Sequence, residues 1–405
     1  MKKRFGQHMV IGSLSISVLL ASVGTSMANI VLPAVSADFR VSFSEAKWVV
    51  LSYLIVTTAM SLIVGRISDV KGRRITLILG SVLFIIGALG SALSFSFGFL
   101  ILARIVQGIG GAALIVLPIA IVTKIIAKEK IGRVIGLLAT MSAMGTAMGP
   151  SLGGFLLSMQ GWRAPFYFVA VLGLINLLLM IAVIPSDFIS GTDTPERSET
   201  LIKSLASIYL DTPLRIHLIS NSIVSAVMMS TLIAGPFYLT RVLKTPSVEM
   251  GFIMSAGPIT SIVFGIFSGI LADHFGLLAI LRYGFIQLLI GALAFVFLPG
   301  LFGKIGFALA AILLSSGYQM FLSANSSHIM KNIEEDRRGL VSGALSLSRN
   351  LGLMAGTLVM GNIFELFGFQ TVFAVAAFLV ALMLFTHLKN QKRRMYETRF
   401  TSKVY

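Results

Sequence analysis

GRISDVKGRR, residues Gly65 to Arg74, places five charges in ten positions of a chain that is only 12% charged and 56% hydrophobic. Apolar runs of about twenty residues flank it, the length a helix needs to cross a ~30 Å hydrocarbon core. A glycine, an aspartate and a basic cluster therefore occupy the turn between two membrane-crossing segments. The rest of the 405-residue chain alternates in the same way. Soluble domains carry about 25% charged residues, so the composition excludes that class. Apolar windows predict twelve spans, at 9–33, 46–66, 75–95, 97–123, 132–158, 164–184, 216–241, 249–272, 279–299, 304–328, 339–364 and 368–388. The basic start followed by an apolar run is read as the first span, uncleaved, because that run is too long for a signal-peptide core.

The net charge of +16 does not point to nucleic acid, since the basic residues sit between apolar runs and form no continuous face. Their distribution sets orientation instead. Arg40, Lys47, Arg163, Arg241, Lys244 and Lys304 fall on one side of the predicted spans, and Arg104 and Arg349 fall inside them. The other 24 of the 32 Lys and Arg lie on the opposite side, which the positive-inside bias makes cytoplasmic, with both termini. Cysteine is absent, which removes disulfides, thiolate metal sites and cysteine nucleophiles.

The longest polar interval, Pro185 to Arg215, divides the spans six and six. The expected organisation is a first six-helix bundle at 1–188, a cytoplasmic linker at 189–213, a second bundle at 214–390 and a basic tail at 391–405. The two halves repeat. Glycines at 132, 136, 145, 149 and 154 return at 339, 343, 352, 356 and 361, a constant offset of 207. Gly65, Asp69 and Gly72 return as Gly269, Asp273 and Gly276, an offset of 204. The predicted fold class is an all-α membrane protein, with twelve transmembrane helices as two six-helix bundles related by pseudo-two-fold symmetry. Parallel repeats of this kind characterise secondary transporters that bind substrate near the bilayer midplane.

Gly65, Asp69, Gly72, Arg73 and Arg74 fit the loop pattern G-x-x-x-D-x-x-G-R-[RK]. In span four Arg104, Gln107 and Gly108 fit R-x-x-Q-G, and in span five Gly145, Gly149, Pro150, Gly153 and Gly154 fit G-x-x-x-G-P-x-x-G-G. On these motifs the chain resembles the major facilitator superfamily across nearly its whole length, and within it the drug:proton antiporters. The usual basic residue at position 70 is Val70, with Lys71 beside it. The resemblance implies that the span-five motif belongs to exporters and that the Gly65–Arg74 loop latches one half against the other. Physically, Gly65 would admit a close neighbouring helix. Asp69 would sit at the favourable N-terminus of span three, and the two arginines would hold the loop inside. The second copy keeps Asp273 but has Leu277 and Leu278 in place of the arginines, so its latch is expected to be weaker.

An intramembrane arginine needs a partner or a water-filled cavity and is a functional candidate; Arg104 and Arg349 are the two nominated here. Family exporters of cationic drugs commonly carry an acid in span one upstream of an N-x-x-L-P ending. Here that ending is Asn29 to Pro33, with Gly24 or its neighbours at the acid's place, and no acidic residue falls mid-span. A neutral-to-positive cavity follows, suited to neutral or anionic substrates. Proton coupling would then rest on Asp38, Glu45, Asp69, a histidine or the arginines. His217 and His328 lie at span ends and the remaining histidines are placed in loops or tails, where an interfacial imidazole is solvated. Spans one, four, seven and ten supply the expected substrate cavity: Thr25, Ser26, Asn29, Gln107, Phe237, Tyr238, Tyr318, Gln319 and Asn325.

Neither H-E-x-x-H nor G-x-x-x-x-G-K-[ST] occurs, so a zinc protease and a P-loop pump are excluded. The expectation is a proton-driven, multidrug-type exporter of small hydrophobic compounds in the plasma or inner membrane. It would need no cofactor or metal, bind no nucleic acid, and work as a monomer in the lipid bilayer. The alternative is a dedicated exporter or importer of one anionic metabolite.

Overall fold

The computed structural model describes residues 2–126, 128–184, 212–331, 333 and 338–401. These residues are helical apart from short turns. The helices are α1 Lys2–Asp38, α2 Phe43–Ala46, α3 Trp48–Lys71, α4 Arg73–Ala92, α5 Phe97–Ile125, α6 Lys128–Gln160 and α7 Ala164–Val183. After the segment 185–211, which lies outside the described residues together with most of the predicted linker, come α8 Thr212–Arg241, α9 Ser247–Phe275, α10 Leu277–Lys331, α11 Arg338–Ala355, α12 Gly361–Phe367 and α13 Phe369–Thr401. A π turn, Gly356–Met360, joins α11 to α12.

Eleven of the helical stretches are long and apolar enough to span a membrane. One of them accounts for two predicted spans. Helix α10 is 55 residues long, about twice what one crossing needs. It is interrupted at Gly303, whose φ of 54° and ψ of −127° are not helical, and its two arms match spans nine and ten. The last helix runs on to Thr401, so most of the predicted tail continues span twelve.

The chain forms two compact units, Met1–Thr200 with Leu232–Ile262 and Leu201–Thr231 with Val263–Tyr405. Each unit is built on the same small-residue seams. Without a hydrophobic driving force between helices in lipid, association relies on close packing, and glycine lets backbones approach. In the first unit, a Cβ on Gly87 would lie 2.5 Å from Gln107 Cα, and one on Gly110 would lie 2.7 Å from Phe84 Cα, so α4 rests directly on α5. The second unit repeats this between the arms of α10. A Cβ on Gly291 would lie 2.5 Å from Leu314 Cα, and one on Gly317 would lie 2.5 Å from Leu288 N. These pairs, 87/291 and 110/317, carry the same offsets of 204 and 207 as the loop and span-five repeats.

The span-five glycines form a second seam. On α6, a Cβ at Gly145 would come within 2.7 Å of the Leu19 carbonyl, and one at Gly149 within 2.8 Å of Ser26 Cβ. On α11 and the π turn, Gly352 and Gly356 press on α8 at Ser222 and Ala226. Where Pro150 interrupts the regular hydrogen bonding of α6, the second copy places Thr357 inside the π turn. Both repeats depart from regular α-helical hydrogen bonding at the same register, by different means.

Gly72 (φ 91°) and Gly276 (φ 83°) occupy equivalent turns in a left-handed conformation that favours glycine. Among the described residues, a Cβ at either of the companion glycines, Gly65 or Gly269, would meet nothing within 4 Å. Asp69 is displaced from its expected place. It sits in the last turn of α3, and α4 opens on Arg73 and Arg74 with no acid in its first turn.

Candidate functional site

The polar centre of the first unit is assembled where α1, α3 and α5 meet. Gly108 lets α5 sit against α3, since a Cβ there would come within 3.0 Å of the Tyr53 carbonyl, and Thr57 donates to the Gly108 carbonyl at 3.1 Å. One turn earlier on α5 is Arg104, with none of its surface exposed. Its Nε donates to the Val49 carbonyl at 2.9 Å, and its Nη1 donates to Gln107 Oε1 at 2.5 Å. The guanidinium lies 4.5 Å from the Tyr53 ring centre and 5.8 Å from that of Phe166. No carboxylate among the described residues pairs with it.

Two polar atoms of this group make no hydrogen bond, Arg104 Nη2 and Gln107 Nε2, and both can donate. Asn29 Oδ1, on α1, is likewise without a donor, while its Nδ2 donates to the Thr25 carbonyl at 3.4 Å. Buried polar atoms left in this condition cost about 1–3 kcal/mol each, and several of them lie together here. Sequence reasoning misses Tyr53 because it does not count span two among the cavity-lining spans. The second copy carries Ala311 and Leu314 where Arg104 and Gln107 stand, so this chemistry belongs to one half.

The structure brings Arg104, Gln107, Thr25 and Asn29 into the first unit's interior, and it separates Ser26 from them. The Ser26 hydroxyl donates to the Gly145 carbonyl at 3.1 Å and lies on the α1–α6 seam, where it packs helices. Phe237 is buried against Phe43, with ring centres 4.7 Å apart, and Arg241 lies 4.8 Å above it; Tyr238 beside it is also buried. In the second unit Tyr318 is buried, and Gln319 donates to Ser323 at 3.3 Å. Asn325 is bonded to His217, with Oδ1 at 2.6 Å from Nδ1. Arg349 lies within a span, with its side chain exposed on the surface of its unit. A cavity of about 340 Å³ lined by residues including Phe275, Tyr283 and Gln287 involves none of the nominated residues.

The loop residues Asp69 and Arg73 approach at 3.7 Å. Arg73 also donates to the Ala120 carbonyl, and Arg74 to the Ile181 carbonyl at 3.1 Å, fastening the turn to α5 and α7. Asp273 is exposed. In the span-five motif, Gly145, Gly149 and Gly153 face α1, and Gly154 faces α9, where a Cβ would lie 3.0 Å from Gly251 Cα. Next to Pro150, the Ser151 N–H donates to Ser255 Oγ at 3.1 Å. The motif thus clamps α6 between α1 and α9.

The edge carboxylates have structural partners. Asp38 accepts from Trp162 Nε1 at 2.9 Å and from Arg163 Nη1 at 3.1 Å. Glu45 and Ser42 form a capping box at the start of α2, with the Ser42 N–H donating to Glu45 Oε2 at 2.8 Å. Asp38→Asn and Glu45→Gln are therefore expected to keep transport within about twofold of the parent and to lower the melting temperature only slightly, since exposed pairs contribute little. Transport assays beside thermal melts of the purified variants check this. Loss of transport in either variant would return the proton to that carboxylate. Of the histidines placed in loops or tails, His387 is in fact buried, at 5% exposure, inside the last span.

The profile of the Major Facilitator Superfamily matches residues 14–357. The uncharacterized transporter YebQ of Escherichia coli (strain K12) is 28% identical over 404 residues, 87% of this chain and 88% of that protein. Riboflavin transporter RibZ of Clostridioides difficile (strain 630) is 25% identical over 393 residues, 86% of each chain. In fold, the chain is similar to a crystal structure of a mutant of nucleoside transporter NupG, with a TM-score of 0.78 and 16% identity over 94% of this chain and 99% of that one. With its predicted repeats and helical architecture, the chain belongs to the Major Facilitator Superfamily: a multi-pass membrane transporter of small molecules and not an enzyme.

Proposed function

We propose that the chain is a proton-coupled exporter of small hydrophobic compounds that are neutral or anionic. The observation that carries this reading is the Arg104 site. Its unused polar atoms on Arg104 and Gln107 are donors, around a cation that no described carboxylate neutralises. A carbonyl, phenolate or carboxylate oxygen satisfies such donors, and a lipophilic cation does not. Among the described residues the site contains no acid to hold a cation. Apolar packing by Tyr53 and Phe166 favours flat, aromatic substrates. Riboflavin, the substrate in the name of a whole-length relative, is a suitable first neutral probe.

Export is supported by the clamped G-x-x-x-G-P-x-x-G-G face. The basic end of the chain is assigned to the cytoplasm and the chain to the plasma membrane, where it acts as a monomer driven by the proton gradient without a cofactor. Arg349, exposed within a span, lines water, because a guanidinium facing hydrocarbon at that depth is costly. A dedicated carrier of one anionic metabolite is the second reading; the two arginines inside spans favour it.

Accumulation of neutral, anionic and cationic fluorescent compounds in cells with and without the chain tests the assignment. Neutral or anionic compounds are expected to accumulate less in expressing cells, and a protonophore to abolish the difference. Raised accumulation would establish import, and reduced accumulation of cations alone would overturn the substrate class.

A further inference from the structure

Three histidines from three helices of the second unit meet near one end of the bundle. His217 lies on α8, His328 on the second arm of α10 and His387 on α13. The ring centres of His328 and His387 are 5.2 and 5.0 Å from that of His217. His387 is buried, with Phe285 5.2 Å away and its Nε2 3.0 Å from the Ser220 hydroxyl. Asn325 orients the His217 ring. Its Nδ2 donates to the His217 carbonyl at 3.4 Å, which turns Oδ1 toward Nδ1 at 2.6 Å. Nδ1 is then the N–H of the neutral ring and Nε2 its basic nitrogen. An apolar cluster of Leu214, Leu218, Ile329, Val341, Ala344 and Leu345 packs at the same level, from α8, α10 and α11.

His387 is buried, and among the described residues the titratable rings facing it are those of His217 and His328. Arg215, Lys331 and Lys389, close to the three histidines in sequence, are exposed. The rings are tilted against one another, and no group of three His, Cys or carboxylate side chains among the described residues is arranged to hold a metal ion. Three imidazoles at this spacing do not titrate independently. A proton on one ring repels a second on its neighbour, so the protons bind in separate steps that belong to the cluster. Imidazole is also the side chain whose ordinary range spans neutral pH.

We propose that His217, His328 and His387 form the proton-binding site through which transport is coupled to the proton gradient. The inference rests on the proton-coupled reading above. It supplies a titratable group within the spans, where the sequence places no carboxylate mid-span. Protonation places a charge where α8, both arms of α10 and α13 converge, and so changes the packing of four spans at once.

Histidine NMR of the purified full chain in lipid nanodiscs, with ring carbons labelled, tests the cluster without any substrate. The three cluster signals, assigned by His217→Gln, His328→Gln and His387→Asn, are expected to titrate in two coupled steps. Each replacement should move the titration of the remaining pair. In liposomes His387→Asn, which can keep a hydrogen bond to Ser220, is expected to lose at least tenfold of gradient-driven transport and to show a flat pH profile. Independent single-step titration of the three, or unchanged gradient-driven transport in all three variants, would overturn the proposal. Coupled titration in a parent chain that moves no protons with any compound would instead overturn proton-coupled export, leaving the cluster as a proton-binding site.

Discussion

Arg104→Ala is expected to reduce transport by at least about 100-fold, equivalent to about 2.7 kcal/mol, while the chain still inserts and folds. The guanidinium makes two charge-assisted hydrogen bonds, to Val49 and Gln107, and stacks on Tyr53. Bonds of that type contribute about 1.5–3 kcal/mol each. Insertion is not the casualty, because an arginine at a helix centre opposes it by about 2.5–3.5 kcal/mol and alanine removes that opposition. Arg104→Lys is not expected to restore transport. An ammonium is a point charge, whereas this site uses a planar fork that reaches a carbonyl and an amide while lying flat on a ring. Transport by the two variants, normalised to the amount of folded protein, measures the effect. Full activity in Arg104→Lys would reduce the residue to a simple positive charge.

The second large effect concerns packing, and it separates glycines that look alike in sequence. Gly343 and Gly352 both belong to the repeat at offset 207. A Cβ on Gly343 meets nothing within 4 Å. On Gly352 it would lie 2.8 Å from Ser222 Cα and nearer still to the Ser222 carbonyl, a backbone group that cannot rotate away. Gly352→Ala must push α11 off α8 and should cost about 1–3 kcal/mol or more, as overpacking does. Melting of the detergent-solubilised protein is expected to fall by several degrees for Gly352→Ala and to stay unchanged for Gly343→Ala. Equal behaviour of the two would mean that the seams do not hold the second unit together.

Those two glycines also show how far the sequence reads. Span positions follow from hydropathy, because the bilayer fixes the length of every apolar run. The merged pair in α10 is legible for the same reason, with Gly303 marking the break. Duplication is visible in the span-five glycines. It is equally present in Gly80/Gly284, Gly87/Gly291 and Gly110/Gly317, and in Arg40 and Lys244, equivalent loop residues that both take positive φ. What hydropathy does not report is the rotation of each helix. In a membrane protein the lipid face and the packed face are both apolar, so neither is marked by polarity. Sequence alone therefore assigns Ser26 to the cavity though it packs on α6. It also puts His387 in a loop or tail though the ring is buried. Arg104 and Gln107 are legible because their i, i+3 spacing puts them on one face, whichever way the helix turns. Tyr53 carries no such signal. Only the placement of α3 beside α5, set by Gly108, brings its ring to Arg104.

Proton movement in liposomes holding the purified chain tests export of neutral and anionic compounds most directly. A pH gradient is imposed, and matched anionic, neutral and cationic aromatic compounds, with riboflavin among the neutral ones, are added in turn. Dissipation of the gradient by neutral or anionic compounds, absent with cations and absent in Arg104→Ala, is the expected result. Dissipation by cations alone, or a response undiminished in Arg104→Ala, would show that the buried arginine does not set what this protein carries.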